Sequence, residues 1–190
     1  LTCSMFGAER TLSELNASLD NNFRVVRAPC IGACDKAPVA AVGHNLIENV
    51  SSEKLIANAK AALSNELPHR EINPIRLDEY LELGGYKLLK ECLSGQRTQQ
   101  GLIAELGKSA LRGLGGAGFP TSKKWDLVRA NNGRKALAVN GDEGEPGTFK
   151  DRLYLENDPH RTLEGMLIAA WAVGAEECYF YLRDEYPEIR

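Results

Sequence analysis

Gly113-Leu114-Gly115-Gly116-Ala117-Gly118-Phe119-Pro120, running straight into Thr121-Ser122-Lys123-Lys124-Trp125, is the stretch on which the reading of this chain turns. Glycine has no Cβ, so backbone N–H groups in such a turn can approach a phosphate or a flat ring closely. Successive amides form an anion-binding concavity, and the start of a following helix adds partial positive charge. Thr121 and Ser122 precede the two lysines, which excludes the P-loop pattern, and no acidic residue follows at the Rossmann distance. A flexible linker would not close on Phe-Pro and then Lys-Lys-Trp. The loop reads as a cradle for a phosphate-bearing cofactor held in an unusual way.

Downstream, a helix is predicted over about Thr121–Arg129, then a buried strand, Lys135 to Asn140. An apolar helix follows over about Arg161–Val173 and a second strand over Cys178–Leu182. This order argues for an α/β domain with parallel neighbours. The first strand ends in Asn140-Gly141-Asp142-Glu143-Gly144-Glu145-Pro146-Gly147, at the strand end where open α/β sheets bind ligands. Its carboxylates repel a phosphate but accept hydrogen bonds from ribose hydroxyls, an amide or a flavin ring N–H. A solvated acidic turn is the alternative; it accounts for the Gly and Pro but not for Asn140. Lys124 either neutralises a cofactor phosphate or flavin anion or is a helix-face lysine without a task. His44, His69 and His160 show no triad or ligand spacing and read as structural.

Upstream, residues 4–19 carry leucines at helical spacing, and Phe23-Arg24-Val25-Val26-Arg27-Ala28 alternates like a strand. A loop from Ile31 to Lys36, short strands near Val39–Val42 and Leu46–Ile47, and a helix capped at Ser51-Ser52-Glu53 complete a small α/β unit. Residues 64–73 read as a linker, and helices are predicted near Leu77–Leu83, Tyr86–Leu93 and Gln99–Leu106. Cys30 and Cys34 lie in the first unit's loop among small neighbours; Cys3 opens the same unit. Two thiolates so spaced can bind one iron or share a cluster, and the three-residue gap is unlike common zinc sites. An idle pair of small apolar residues is the other reading. Cys92 and Cys178 read as buried core thiols.

With 190 residues, 43% hydrophobic and 26% charged, the chain has the make-up of a globular protein of one large or two small domains. A net charge of -3 gives no reason to expect nucleic acid or an anionic membrane as partner. No apolar run approaches the ~20 residues of a membrane span, and no signal peptide is evident, so a cytoplasmic location is expected. Leu1 is no initiator methionine, and Arg190 follows a strand-to-loop transition; a fragment at both ends is expected.

Leu111-Arg-Gly-Leu-Gly-Gly-Ala-Gly-Phe-Pro-Thr121 with Lys124-Trp125, then Asn140-Gly-Asp-Glu-Gly-Glu-Pro-Gly-Thr-Phe-Lys-Asp-Arg152, Asp158-Pro-His160 and Glu164-Gly-Met-Leu-Ile168 closely resemble the FMN- and NADH-binding subunit family of respiratory complex I. That resemblance runs from about Gly107 to the C-terminus. Residues 1–64 resemble the thioredoxin-like [2Fe–2S] domain of the neighbouring subunit: Cys30 and Cys34 match the second ligand pair, and Cys3 the second member of the first pair. The first member would precede Leu1. Fusion of the two modules resembles β subunits of NAD-dependent molybdenum or tungsten formate dehydrogenases; diaphorase subunits of NAD(P)-reducing hydrogenases are fused similarly. Leu114, where complex I relatives usually carry Arg, and the run Tyr181 to Pro187 favour the formate enzymes. Leu127 stands where complex I proteins tend to have an aromatic beside adenine.

The resemblance implies a thioredoxin-like [2Fe–2S] domain at 1–64, a linker and helical segment at 65–106, and the first part of an FMN/NADH-binding α/β domain at 107–190. It implies that Gly113, Gly115, Gly116, Gly118, Lys124, Asn140 and Asp142 hold FMN, with Glu143 close to it. Phe119, Glu145, Tyr181 and Glu185 would line the NAD site or its boundary with the flavin. A [4Fe–4S] cluster is expected in a further C-terminal part, and a molybdopterin-containing formate dehydrogenase α subunit is the expected partner.

Overall fold

The computed structural model describes residues 1–43, 45–64, 66, 72–114, 116–186 and 189. His44, Gly115, Pro187, and most of the expected linker with His69, lie outside the described residues. The chain divides into two compact units, one of residues 1–73, 141–156 and 182–190, the other of residues 74–140 and 157–181. No described helix is long and apolar enough to cross a membrane.

The first unit begins with α1 (Thr2–Met5) and α2 (Ala8–Ser18). The predicted single helix is interrupted at Gly7, which takes φ 90°, a conformation costly for any residue with a Cβ. A hairpin follows, β1 (Ala40–Val42) against β2 (Asn45–Ile47), antiparallel with Ala40 opposite Ile47 and Val42 opposite Asn45. Then comes α3 (Ser52–Leu63), capped as expected: the Ser51 hydroxyl accepts a hydrogen bond from Lys54 N at 3.2 Å. Leu15, Ile47, Val50 and Leu55 form the core, with Leu19 and Val25 packed on its edge. Residues 23–28 are not a strand. Among the described residues β1 and β2 pair only with each other, so the segment finds no hydrogen-bonding neighbour and buries Val25 by packing alone.

The later stretches of this unit contain α8 (Lys150–Asn157), whose mainly polar sequence gives no clear helical periodicity. Its start is fixed by Glu143, whose two carboxylate oxygens accept from the backbone N–H groups of Lys150 (3.0 Å) and Asp151 (2.9 Å). This satisfies two of the four amides a helix N-terminus leaves unpaired.

The second unit contains α4 (Leu77–Glu82), α5 (Lys87–Leu93), α6 (Gln99–Lys108), α7 (Thr121–Ala130) and α9 (Pro159–Val173). It also holds nearly all of β3 (Ala136–Gly141) and β4 (Glu177–Leu182), which pair side by side. Helix α9 is the hub, meeting α5, α6 and α7. Its alanines at 169, 170 and 172 are buried, and small side chains let neighbouring helices approach. Cys92, Leu102 and Ala172 form the centre, sealed by Trp125, Ile168 and Trp171. Cys92 is thus the core thiol expected, at 2% exposure. Cys178 is not: in the two-stranded sheet it stays exposed, as do Tyr179 and Tyr181.

The first turns of α9 are tied to α4 and α5 through Glu164. Its Oε2 accepts from Tyr80 Oη (2.6 Å) and from Tyr86 N (2.9 Å), while Tyr86 Oη pairs with His160 Nδ1 (3.1 Å). Burial and the Glu164 hydrogen bond push the Tyr80 phenol up to about 12 from 10.0. A phenol titrating later in the folded state contributes stability that is whole below pH 10 and fades as pH climbs towards 12. Glu164→Leu is expected to cost about 1–3 kcal/mol, because it strands the buried Tyr80 hydroxyl. Urea unfolding measures this, and an unchanged midpoint would refute it.

Candidate functional site

The glycine loop, in the second unit, is pinched at its base. Gly113 N donates to Phe119 O (3.1 Å), Thr121 N to Leu111 O (3.0 Å), and Arg112 Nη1 to Gly118 O (3.1 Å). Gly116 and Gly118 have φ of +81° and +63°, which explains glycine at these two positions. Gly113 needs another account: its φ is not positive, and an added Cβ would meet only Phe119 O at 3.9 Å. The fold itself leaves room there, so glycine at 113 fits a group that approaches the backbone from outside. Pro120 starts α7 without a side-chain cap, leaving N–H groups of its first turn for an anion. Lys124 is exposed on the same helix, Phe119 is 50% exposed, and Leu114 is wholly exposed. Asn140 lies exposed near the end of β3 and Tyr181 near the end of β4. The uncapped helix start, the glycine turn and Lys124 together offer amides and positive charge to an anion.

The cysteines lie in the first unit. Cys30 Sγ and Cys34 Sγ are 3.6 Å apart. Two sulfurs on one tetrahedral metal with ~2.3 Å bonds would be about 3.8 Å apart. The pair therefore fits two thiolates of one iron, and Gly147 N donates to Cys34 Sγ at 3.0 Å, the kind of N–H contact that tunes iron–sulfur centres. Burial pushes the Cys30 thiol up. Cys3 lines the same cavity of about 790 Å³ as Cys30 and Cys34. Among the described residues no three His, Cys, Asp or Glu side chains gather closely enough to share one metal ion, so the structure does not set Cys3 on the same ion as Cys30 and Cys34.

Two arginines that no sequence motif singled out hold this loop. Arg152, 2% exposed, donates from Nε to Gly32 O (3.0 Å), from Nη1 to Glu156 (2.8 Å), and from Nη2 to Asp35. Arg183, 7% exposed, donates from Nη2 to Cys30 O (2.8 Å), from Nη1 to Glu143 O (2.6 Å), and from Nε to Glu185 (3.1 Å). The guanidinium holds the Glu185 carboxyl below the usual carboxylate range. Asp142 stands 3.9 Å from the same Nε and is exposed, as is Glu145, whereas Glu143 is buried. Asp142, Glu143 and Glu185 are thus brought together around Arg183, next to the cysteine loop. The only signal for the arginines was their place inside acidic motifs.

Residues 3–62 match the family described as thioredoxin-like [2Fe-2S] ferredoxin, and residues 106–190 match the Nuo51 FMN-binding domain. The protein is therefore of mixed α/β class, a thioredoxin-like [2Fe–2S] domain followed by an FMN-binding domain of the Nuo51 type. Among individual proteins, it is 50% identical over 111 residues to an NADH-quinone oxidoreductase subunit of Aquifex aeolicus (strain VF5), covering 58% of this chain and 26% of that relative. An NADH-quinone oxidoreductase subunit of Rhizobium meliloti (strain 1021) is 49% identical over 111 residues, again 58% of this chain and 26% of the relative. The matched part thus spans about a quarter of these relatives' length. The crystal structure of NAD+-reducing [NiFe]-hydrogenase in the air-oxidized state is similar over 100% of this chain and 37% of its own, with TM-score 0.77 and 26% identity.

Proposed function

We propose that this chain is the diaphorase part of a multi-subunit oxidoreductase, exchanging electrons between a nicotinamide dinucleotide and iron–sulfur centres by way of FMN. The observation that carries this reading is the succession of the two domain types in one chain, with the cysteine pair set 3.6 Å apart. A flavin accepts or gives two electrons as hydride and passes them on singly, which is the chemistry required between a nicotinamide and a cluster. The chain's residues supply binding and orientation. Gly113, Gly115, Gly116 and Gly118 bring amides to the phosphate, Lys124 balances its charge, and Asn140 and Asp142 accept from the flavin's polar edge, with Glu143 close by. Phe119, Glu145, Tyr181 and Glu185 line the dinucleotide site. Cys3, Cys30 and Cys34 are cluster ligands. No side chain need move a proton at the reacting atoms. Domain limits of 1–64, 65–106 and 107–190, a [4Fe–4S] cluster in a further C-terminal part, and a cytoplasmic location belong to the same proposal.

Within this class we favour a formate dehydrogenase β subunit, partnered by a molybdopterin-containing α subunit and reducing NAD+. Leu114 and the run Tyr181 to Pro187 support it. The hydrogenase reading has support of its own, since the hydrogenase structure is similar along the full length of this chain. The test is to purify the protein with its partners, assay FMN, follow flavin bleaching by NADH, and measure metals. FMN, bleaching and molybdenum or tungsten are expected. Nickel in their place would select the hydrogenase reading, and intact protein without flavin would end the diaphorase proposal.

A further inference from the structure

We infer that Arg183 is a positioning residue that raises the electron affinity of the cysteine-loop cluster and locks that loop to the acidic turn. This rests on the reading of Cys30 and Cys34 as cluster ligands. The guanidinium is 7% exposed and makes three hydrogen bonds, to the carbonyls of Cys30 and Glu143 and to Glu185. Its carbon lies 5.4 Å from the centre of the buried Tyr186 ring, which further limits its motion. Two of its three partners are neutral carbonyls. Among the described residues its positive charge is met by Glu185 at 3.1 Å and, more distantly, by Asp142 at 3.9 Å, both on solvent-exposed side chains (36% and 46%) that screen it weakly.

Arg152 provides the contrast. It reaches the same loop through Gly32 O, yet it faces two carboxylates, Asp35 and Glu156, with side chains 21% and 9% exposed. Its charge is cancelled where it sits, so it clamps without biasing the loop's potential. Adding an electron to a cluster adds negative charge, and a poorly screened cation one peptide away from Cys30 Sγ favours that state. The acidic turn is fixed from its other side, because the Glu143 carboxylate is engaged by the amides of Lys150 and Asp151. Arg183 therefore links the cysteine loop to the turn proposed to stand beside the flavin, and any change in its charge is felt at the thiolates.

The test is an EPR-monitored redox titration of the [2Fe–2S] signal in the intact purified complex, with iron content measured alongside. At the wild-type midpoint, Arg183→Gln is expected to shift the reduced-to-oxidised ratio about tenfold towards oxidised, ~59 mV for a one-electron couple. Glu185→Gln, which unmasks the guanidinium, is expected to shift it the other way by about threefold, less because this site is partly solvated. Arg183→Lys is expected to stay close to wild type. General loosening of the loop cannot produce opposite signs. Wild-type ratios in both neutralised variants at full iron content, or shifts of one sign, would overturn the inference. Where Arg183→Gln assembles no cluster, the sign of the Glu185→Gln shift decides. A wild-type complex lacking any [2Fe–2S] signal would instead refute the ligand reading itself.

Discussion

Arg152→Leu is expected to destabilise the first unit by about 3–5 kcal/mol, the effect of breaking a buried ion pair from one side. The substitution does not merely delete contacts. It leaves Asp35 and Glu156 facing one less cation in a region where Arg152 is 2% exposed, and Gly32 O loses its donor. Largely buried carboxylates that lose a cation are costly, whereas an apolar replacement of the whole triad would be far better tolerated. Arg152→Lys is expected to recover only part, because an ammonium cannot reproduce the guanidinium fork that spans three acceptors. Guanidinium chloride unfolding followed by circular dichroism measures the loss. A midpoint within error of wild type would show that the clamp contributes no stability.

The second large effect is expected at Gly32. A Cβ there would stand 2.1 Å from Tyr186 Oη and 2.9 Å from its Cζ, and the backbone is at φ +74°. Alanine in this conformation costs roughly 1–2 kcal/mol, and pushing aside a buried ring adds about 1–3 kcal/mol. Tyr186 is 2% exposed, so its ring cannot be displaced straight into solvent. Gly32→Ala should therefore lower stability by about 2–5 kcal/mol and displace the Cys30–Cys34 loop, with lost iron content as a second readout. Tyr186→Phe in the same background removes the nearest atom and should restore part of the loss. Unaltered stability and iron content in the single variant would contradict the close packing described.

Most helices of the second unit were legible because their apolar residues recur at helical spacing, and two of them also carry caps. Thr98 accepts from Gly101 N, Asp158 from Arg161 N, and Gly174 closes α9 at φ 72°. The failures have physical causes. Alternation at residues 23–28 is a strand signal, but a strand also requires a neighbour, and periodicity cannot supply one. Helix α8 is held by the Glu143 carboxylate and by the Arg152 contacts, neither of which leaves a periodic trace. Gly7 divides what spacing alone made one helix. At the candidate sites, the glycine loop and the cysteine pair stood out through residue types rare outside such chemistry. Arg152 and Arg183 did not, because an arginine among acidic residues reads as surface charge until its burial is known.

The cysteine loop is secured by residues far along the chain: Arg152 lies 120 positions beyond Gly32, and Arg183 lies 153 beyond Cys30. During synthesis the thiols emerge long before the side chains that fasten them. Contacts so remote in sequence must wait for ring closure over that whole distance. If the pair holds iron, a loop fastened this late is expected to keep it only once the second arginine has been made.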